Sequence, residues 1–225
     1  MWFSILYNRI RGEFMAIDMK EFLEGILKSL EHMAYIKPED LPNIDLYMDQ
    51  VTTFMDKQLE PSKRHPEDKI LTKTMINNYA KNNLLPPPEK KKYTKEHVLC
   101  LIFIYYLKNI LSISDIQQIL NPITDKYFGQ QSKKSIDMID IYQEIFSLEN
   151  EETKNLLKDL GRKYSISQTA FAEYTGLSEE DRKFLQNFAL ICELSFDVWV
   201  KKMMIEKLID EMPKEEPTTN KKTKK

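Results

Sequence analysis

Two neighbouring asparagines and a cluster of lysines give one short segment of the chain the side chains best suited to binding another molecule. The segment is TKTMINNYAKNNLLPPPEKKKYTK, which runs from Thr72 to Lys95. An asparagine amide both donates and accepts, so it can form paired hydrogen bonds with adenine in the major groove. Lysines pair with phosphates without reading base sequence. These residue types predict recognition of duplex DNA.

Within the segment, Asn77 or Asn78 is expected to make the base contact, which is worth about 1–3 kcal/mol of discrimination. The lysines are expected to bind phosphates and position the helix. The full set of candidate DNA-binding residues is Lys73, Thr74, Asn77, Asn78, Tyr79, Lys81, Lys90, Lys91, Lys92 and Tyr93.

The first half of the segment predicts a short helix. Thr72 is a suitable N-cap, because its hydroxyl can accept from backbone N–H groups two or three residues further on. Met75, Ile76 and Tyr79 follow at the spacing of one helical face, which we expect to be buried. Asn83 is expected to end the helix in the left-handed conformation that asparagine tolerates.

The second half predicts a turn, an exposed basic tip and a new helix. Prolines at 86–88 prevent the first helix from continuing. The tip is Lys90 to Tyr93, and helix resumes at Thr94 or Lys95. The uninterrupted apolar run 98–107 is too short to span a membrane, so we expect a helix that is buried on most sides.

Helical patterns also flank this segment. Residues 17–34 predict an accessory helix, and NIDLYMDQVTTFMDKQL, residues 43–59, predicts an amphipathic helix capped by Asn43 or Asp45. A short helix, SISDIQQIL, is expected to begin at Ser112 or Ser114 and to end at Asn121-Pro122.

The carboxyl half predicts a second helical unit. Residues 135–148 and 151–164 are two candidate helices, and Ser178 with Asp181 forms a capping box for a third helix that ends near Met212. An apolar stripe follows this third helix, with two interpretations: a face turned to the core or a dimer seam. The stripe is Phe184, Phe188, Ile191, Leu194, Val198, Ile205, Leu208 and Met212.

The order helix, helix, proline turn, basic tip, apolar helix and short helix is that of a winged helix-turn-helix. The stretch TKTMINNYAKNNLLPPPEKKKYTKEHVLCLIFIYYLKNILSISDIQQIL resembles the amino-terminal half of MerR-type regulators. It is more similar still to a bacterial family catalogued as a domain of unknown function, itself similar to that type. The resemblance covers residues 41–122. It implies a sequence-specific transcriptional regulator, which we expect to be a repressor.

The resemblance also assigns positions. Thr72 matches the serine that caps the recognition helix, and Tyr79 matches an aromatic residue of that helix. Lys91 and Tyr93 match the arginine and tyrosine of the wing. Leu84 and Leu85 match two leucines of these regulators, and Phe103, Ile104 and residues 111–120 match the helices that follow. The chain also departs from the pattern: Asn83 stands where the family has a glycine, Asn77 replaces a phosphate-binding arginine, and Asn78 replaces an aromatic residue.

These patterns predict an all-α fold with at most a small β wing. Residues 1–40 are expected to form a leader and accessory helix, 41–122 the winged helix-turn-helix, 123–213 a helical dimerisation or effector domain, and 214–225 a disordered tail. Arg11-Gly12-Glu13 can be encoded by a purine-rich ribosome-binding sequence, so we expect translation from Met15; mass spectrometry of native protein beginning at Met1 would refute this.

Composition excludes several function classes. Five scattered glycines supply no phosphate-binding loop, and a formal net charge of -2 argues against a uniformly basic surface. Cys100 and Cys192 lie in apolar runs, where a buried thiol and a reducing cytoplasm are expected. The histidines show no metal-ligand spacing, so neither metal nor cofactor is predicted.

We expect a homodimer through the carboxyl-terminal helices, with duplex DNA as partner, no membrane and an undefined effector. The alternative is a protein-interaction adaptor whose winged helix has lost DNA affinity, an interpretation that the missing arginine at Asn77 favours. No enzymatic activity is expected, because no carboxylate pairs with a histidine or nucleophile at a recognisable spacing.

Overall fold

A computed structural model describes residues 24–26, 36–129 and 136–213 of the chain. The described part is mostly helical, with one small antiparallel sheet, so the predicted all-α class with a small β wing is confirmed. Residues 24–26 are helical, but the rest of the predicted accessory helix, residues 1–23 and the carboxyl-terminal tail lie outside the described residues.

The amphipathic helix predicted over residues 43–59 begins later in the structure. Leu46–Tyr47 form strand β1, and helix α1 is Met48–Gln58. Leu46 pairs with Tyr93 across the sheet, which holds this end of the predicted helix extended. Tyr47 is the N-cap, and its N–H donates to Gln50 Oε1 over 2.8 Å. Neither Asn43 nor Asp45 caps the helix.

The elements that follow match the sequence closely. A 3-10 helix, Glu60–Ser62, opens the connection to helix α2, Lys73–Lys81. Strand β2, Lys92–Tyr93, pairs with β1 and leads directly into helix α3, Lys95–Leu107. As predicted, α3 is buried on nearly all sides: residues 97–102 and 104–105 lie in the core.

Helix α4 is Ile113–Tyr127, so it passes through the proline that was predicted to end it. Ser112 is the N-cap, and its hydroxyl accepts from the Asp115 N–H. Pro122 leaves Gln118 C=O without its usual helical donor. Burial on both sides of the proline, at Leu120 and Thr124, keeps the helix continuous where the local sequence favours a break.

Helices α5, Met138–Ser167, and α6, Glu179–Asp210, form a long antiparallel hairpin. The prediction of two helices within 135–164 is wrong, because α5 is continuous. Ser178 caps α6 as predicted, accepting from the Asp181 N–H over 3.0 Å. Lys163 is buried in the hairpin and forms ion pairs with Asp159 and Asp197, which fixes the alignment of the two helices.

The hydrophobic core does not stop at residue 122, where we predicted a domain boundary. Met138 and Tyr142 on α5 belong to the same core as the winged elements, and the Tyr142 hydroxyl donates to Ile36 C=O over 2.7 Å. Ile209, near the end of α6, also joins this core. The first turns of α5 are therefore packed with the elements before them.

The predicted stripe on α6 faces solvent along most of its length. Phe184, Phe188, Ile191 and Val198 are 49–63% exposed. Ile205 packs against the core, whereas Leu208 and Met212 beyond it are 69% and 46% exposed, so the interpretation as a core-facing surface is wrong for most of the stripe.

The two cysteines differ in their exposure to solvent. Cys100 is buried in α3 as expected, and burial raises the pKa of its thiol to about 12. Cys192 on α6 is exposed, so its expected burial is wrong. Among the described helices, none combines the length and apolar character needed to cross a bilayer.

Replacing Pro122 by alanine is expected to stabilise the fold. The alanine restores an N–H donor for Gln118 C=O, and proline inside a helix is about 3 kcal/mol less favourable than alanine. Because the helix already tolerates the ring, we expect the free energy of unfolding to rise by about 1–3 kcal/mol in urea titrations. Pro66→Ala, in an exposed loop, is the control, and an unchanged free energy for Pro122→Ala would contradict this account.

Candidate nucleic-acid interface

Helix α2 presents the predicted polar residues, and both of its ends are capped as predicted. Thr72 Oγ1 accepts from the Met75 N–H over 3.2 Å. At the other end Asn83 has φ 56°, in the left-handed region. The N–H groups of Leu84 and Asn83 donate to the carbonyls of Tyr79 and Ala80, over 2.9 and 3.3 Å. This double closure is a Schellman motif, which stops the helix within one residue.

The exposed side of α2 carries the candidate polar residues. Ile76 and Tyr79 are buried, and Met75 is half-buried, which fixes the face turned to the core. At about 100° per residue the polar side chains span an arc of roughly 140° on the opposite side. They are all exposed: Lys73, Thr74, Asn77, Asn78 and Lys81.

The predicted basic tip is a tight hairpin. Glu89 and Lys92 are bridged, and the Lys92 N–H donates to Glu89 C=O over 2.8 Å. Lys90 and Lys91 have φ of 48° and 64°, so both central residues of the turn are left-handed. Such a turn favours Asn-Gly, and non-glycine residues in this region are strained. All three lysines of the tip are exposed.

The helix and the wing meet at one short segment, residues 47–49. Lys73, the first residue of α2, forms an ion pair with Asp49. Lys92 of the wing lies over the Tyr47 ring, with Nζ 5.9 Å from its centroid. Tyr47 is 54% exposed. The basic groups of α2 and of the wing therefore border a common surface that includes an aromatic ring and a carboxylate.

Residues 36–146 match the family described as "Domain of unknown function (DUF1836)". The chain therefore contains a DUF1836 domain. The matched region begins at buried Ile36 and ends within α5, so it encloses α2, the wing and the core beneath them. Searches of the curated proteins and of the solved structures found no match.

In the DUF1836 domain the long connection between α1 and α2 is fixed to α3. Ser62 Oγ lies 2.6 Å from the Tyr105 hydroxyl, and Lys108 Nζ donates to Ile70 C=O over 3.0 Å. Burial lowers the pKa of the Lys108 ammonium. Lys63 also pairs with Asp56 of α1 over 2.8 Å. These contacts hold α2 against the core although the connection is longer than a tight turn.

Two of the predicted site residues lie beneath the surface. Tyr79 and Tyr93 are 8% and 3% exposed, and burial raises the pKa of both phenols. Tyr93 also pairs with Leu46 through the sheet. Both tyrosines support the exposed residues from within, and their side chains are not presented to a ligand.

Sequence reasoning missed Tyr47 and Asp49, which the structure adds to the candidate surface. The sequence did contain one signal for Tyr47. Gln50 follows it by three residues, which is the spacing at which a glutamine accepts from the N-cap N–H, so Tyr47 could have been placed just outside the helix. No group of three or more metal-ligating side chains occurs in the described ranges. The exposed amides and ammonium groups can form hydrogen bonds and ion pairs with an extended polyanion.

The strained tip of the DUF1836 wing generates a stability prediction. Changing Lys90 to asparagine and Lys91 to glycine supplies the residues that a turn with two left-handed positions favours. The double variant is expected to raise the free energy of unfolding by about 1–2 kcal/mol. Urea denaturation measures this value.

The matched control is Lys90→Ala with Lys91→Ala, which removes the same two charges but keeps the left-handed backbone strain. We expect no gain for this control. Equal stability of the two variants would show that charge repulsion, not backbone strain, limits the stability of the tip.

Proposed function

We propose that this protein is a sequence-specific DNA-binding transcriptional regulator, with a repressor as the working assignment. The observation that supports it most directly is the convergence of the α2 and wing lysines on residues 47–49. In this proposal α2 enters the major groove, Asn77 or Asn78 reads adenine, and the lysines of α2 and of the wing bind phosphates.

Asp49 modulates this surface in the proposal. It neutralises Lys73 in the free protein. A phosphate that binds Lys73 has to compete with this carboxylate, so the ion pair lowers affinity for any DNA sequence. Tyr47, exposed beside it, offers a ring edge for sugar or base contacts.

The proposal includes a homodimer through α6. This helix has 32 residues and is about 48 Å long, and the side opposite α5 carries the exposed stripe. An aromatic side chain buries roughly 150–250 Å² when fully covered, so the half-exposed rings of Phe184, Phe188 and Trp199 leave roughly 300 Å² in water. Two copies, with Ile191 and Val198 added, approach the lower end of the roughly 1,200–2,000 Å² that specific interfaces bury.

A second candidate function is a protein-interaction adaptor. The observation that favours it is the same exposed stripe, which offers a partner protein a large apolar surface, together with the absence of an arginine at Asn77. DNA binding separates the two candidates, because an adaptor needs no salt-sensitive affinity for duplex DNA.

Binding to duplex DNA from the protein's own promoter region tests the proposal. In fluorescence anisotropy at a series of salt concentrations, three to five phosphate contacts give a log-log slope of about -3 to -5 per monomer. Changing Lys90, Lys91 and Lys92 together to alanine is expected to make the slope shallower by up to about 3. Asp49→Asn is expected to strengthen binding to all sequences, because it frees Lys73.

The Lys90→Asn, Lys91→Gly variant is the decisive control, since it removes two wing charges while relieving strain. Weaker binding by this better-folded variant assigns the loss to charge. Absence of binding by the wild-type protein at low salt, with dimer present, would overturn the DNA proposal and leave the adaptor.

Changing Phe188 and Ile191 together to glutamate tests the dimer. Wild-type protein is expected to sediment at twice the chain mass of 26.7 kDa. Because each apolar side chain contributes about 1.5–3 kcal/mol on burial, the double variant should raise the dissociation constant at least a hundredfold. Lys207→Glu, exposed elsewhere on α6, is the control. A wild-type monomer at micromolar concentrations would contradict this assignment.

A further inference from the structure

His97 lies where the wing meets the amino-terminal end of α3, and it is 2% exposed. Its ring stands edge-on between Tyr93 of the wing and Phe128 at the end of α4, with centroid distances of 5.5 and 4.7 Å. One imidazole therefore joins three segments of the fold through a continuous stack of rings.

The protonation state of this imidazole follows from its hydrogen bonds. The Thr94 N–H donates to His97 Nδ1 over 3.0 Å, and the Thr94 hydroxyl lies 2.8 Å from the same nitrogen. A backbone N–H only donates, so Nδ1 is the acceptor and the proton of the neutral ring is on Nε2. Nε2 is buried, and no acceptor among the described residues meets hydrogen-bonding geometry, although the carbonyls of Pro87 and Pro86 lie near the ring.

A second contact beside His97 links α3 to the residue that follows the C-cap of α4. Glu96 Oε2 accepts from the Gly129 N–H over 2.9 Å, where Gly129 has a left-handed φ of 72°. Burial raises the pKa of the Glu96 carboxyl, and nearby Asp137, the N-cap of α5, raises it further, although the Gly129 hydrogen bond opposes this.

Burial lowers the pKa of the His97 imidazole below its ordinary 6.5. The carbonyls of Pro87 and Pro86 and the carboxylates of Asp45 and Glu89 oppose this shift. The Tyr93 ring also contacts the imidazole, and Glu96 precedes His97 in the chain. A state with His97 exposed to water takes up a proton more readily, so the closed joint loses stability as pH falls below 6.5.

We infer that proton uptake by His97 opens the joint between the wing and α3, so that acidification loosens the surface formed by the wing and α2. A protonated Nδ1 no longer accepts from the Thr94 N–H, and a charge enters the stack of Tyr93 and Phe128. The consequence for DNA affinity rests on the proposed function, whereas the opening of the wing does not.

Hydrogen–deuterium exchange of the wing amides, residues 89–94, at pH 7.5 and 5.5 tests the opening, after correction for intrinsic exchange rates. If one proton is linked to opening, wild-type protection should fall by up to about tenfold per pH unit below 6.5. His97→Gln retains an acceptor for Thr94 at a position where glutamine is a favoured capping residue. This variant is expected to show no pH-dependent loss of protection.

Two controls keep the test decisive. His65→Gln changes an exposed loop histidine and should behave as wild type, and Glu96→Gln retains an acceptor for Gly129 and should also keep the pH dependence. If His97→Gln fails to fold, an NMR pH titration of the wild-type protein reports the opening instead. The His97 imidazole resonances and the Tyr93 ring resonances are then expected to shift over the same pH range. Equal wing protection at both pH values, or a pH dependence that persists in His97→Gln, would overturn the inference.

DNA affinity measured at the same two pH values separates the inference from the proposed function. Weaker binding at pH 5.5 in wild type but not in His97→Gln supports both. If the wing opens but the protein binds no DNA at either pH, the inference about His97 stands and the DNA proposal is overturned. Opening without any change in affinity would overturn the regulatory consequence.

Discussion

The burial of α3 is the constraint on which the other elements depend. Its side chains are apolar around the helix, so it is stable only when other segments cover it on every side. The connection before α2 is attached at Tyr105 and Lys108, the wing at its amino-terminal end, and α5 along its flank. The positions of α2 and of the wing are thus set by segments attached to α3 and by α1, which contacts both α2 and strand β2.

The local features of the candidate surface could be predicted from the sequence because short-range chemistry determines them. Thr72 and Asn83 have the side chains that helix ends require, and the apolar run of α3 allows little besides burial. The same holds for Ser112 and Ser178 as caps. At each of these helix ends the residues that interact lie within about five positions of one another.

Features that depend on distant partners could not be predicted in this way. Strand β1 has two residues and exists through its pairing with β2, some 46 positions away. The contacts of Tyr47 and Asp49 with Lys92 and Lys73 likewise need the folded chain. The α6 stripe has the spacing of a core-facing helix, and only the folded chain shows that most of this side is left uncovered. The spacing of apolar residues identifies the apolar face of a helix, but it does not show which segment or molecule covers that face.

The unequal environments of the two cysteines have a practical consequence. The thiolate is the nucleophile that attacks thiol-reactive dyes. Buried Cys100, whose pKa is raised to about 12, is therefore silent at neutral pH, while exposed Cys192 is open to reaction. Cys192 adjoins Ile191 on α6. The natural sequence therefore already provides a single attachment point for a fluorophore or spin label beside the apolar stripe, and the proposed pairing of two chains can be tested by distance measurements without introducing or removing a cysteine.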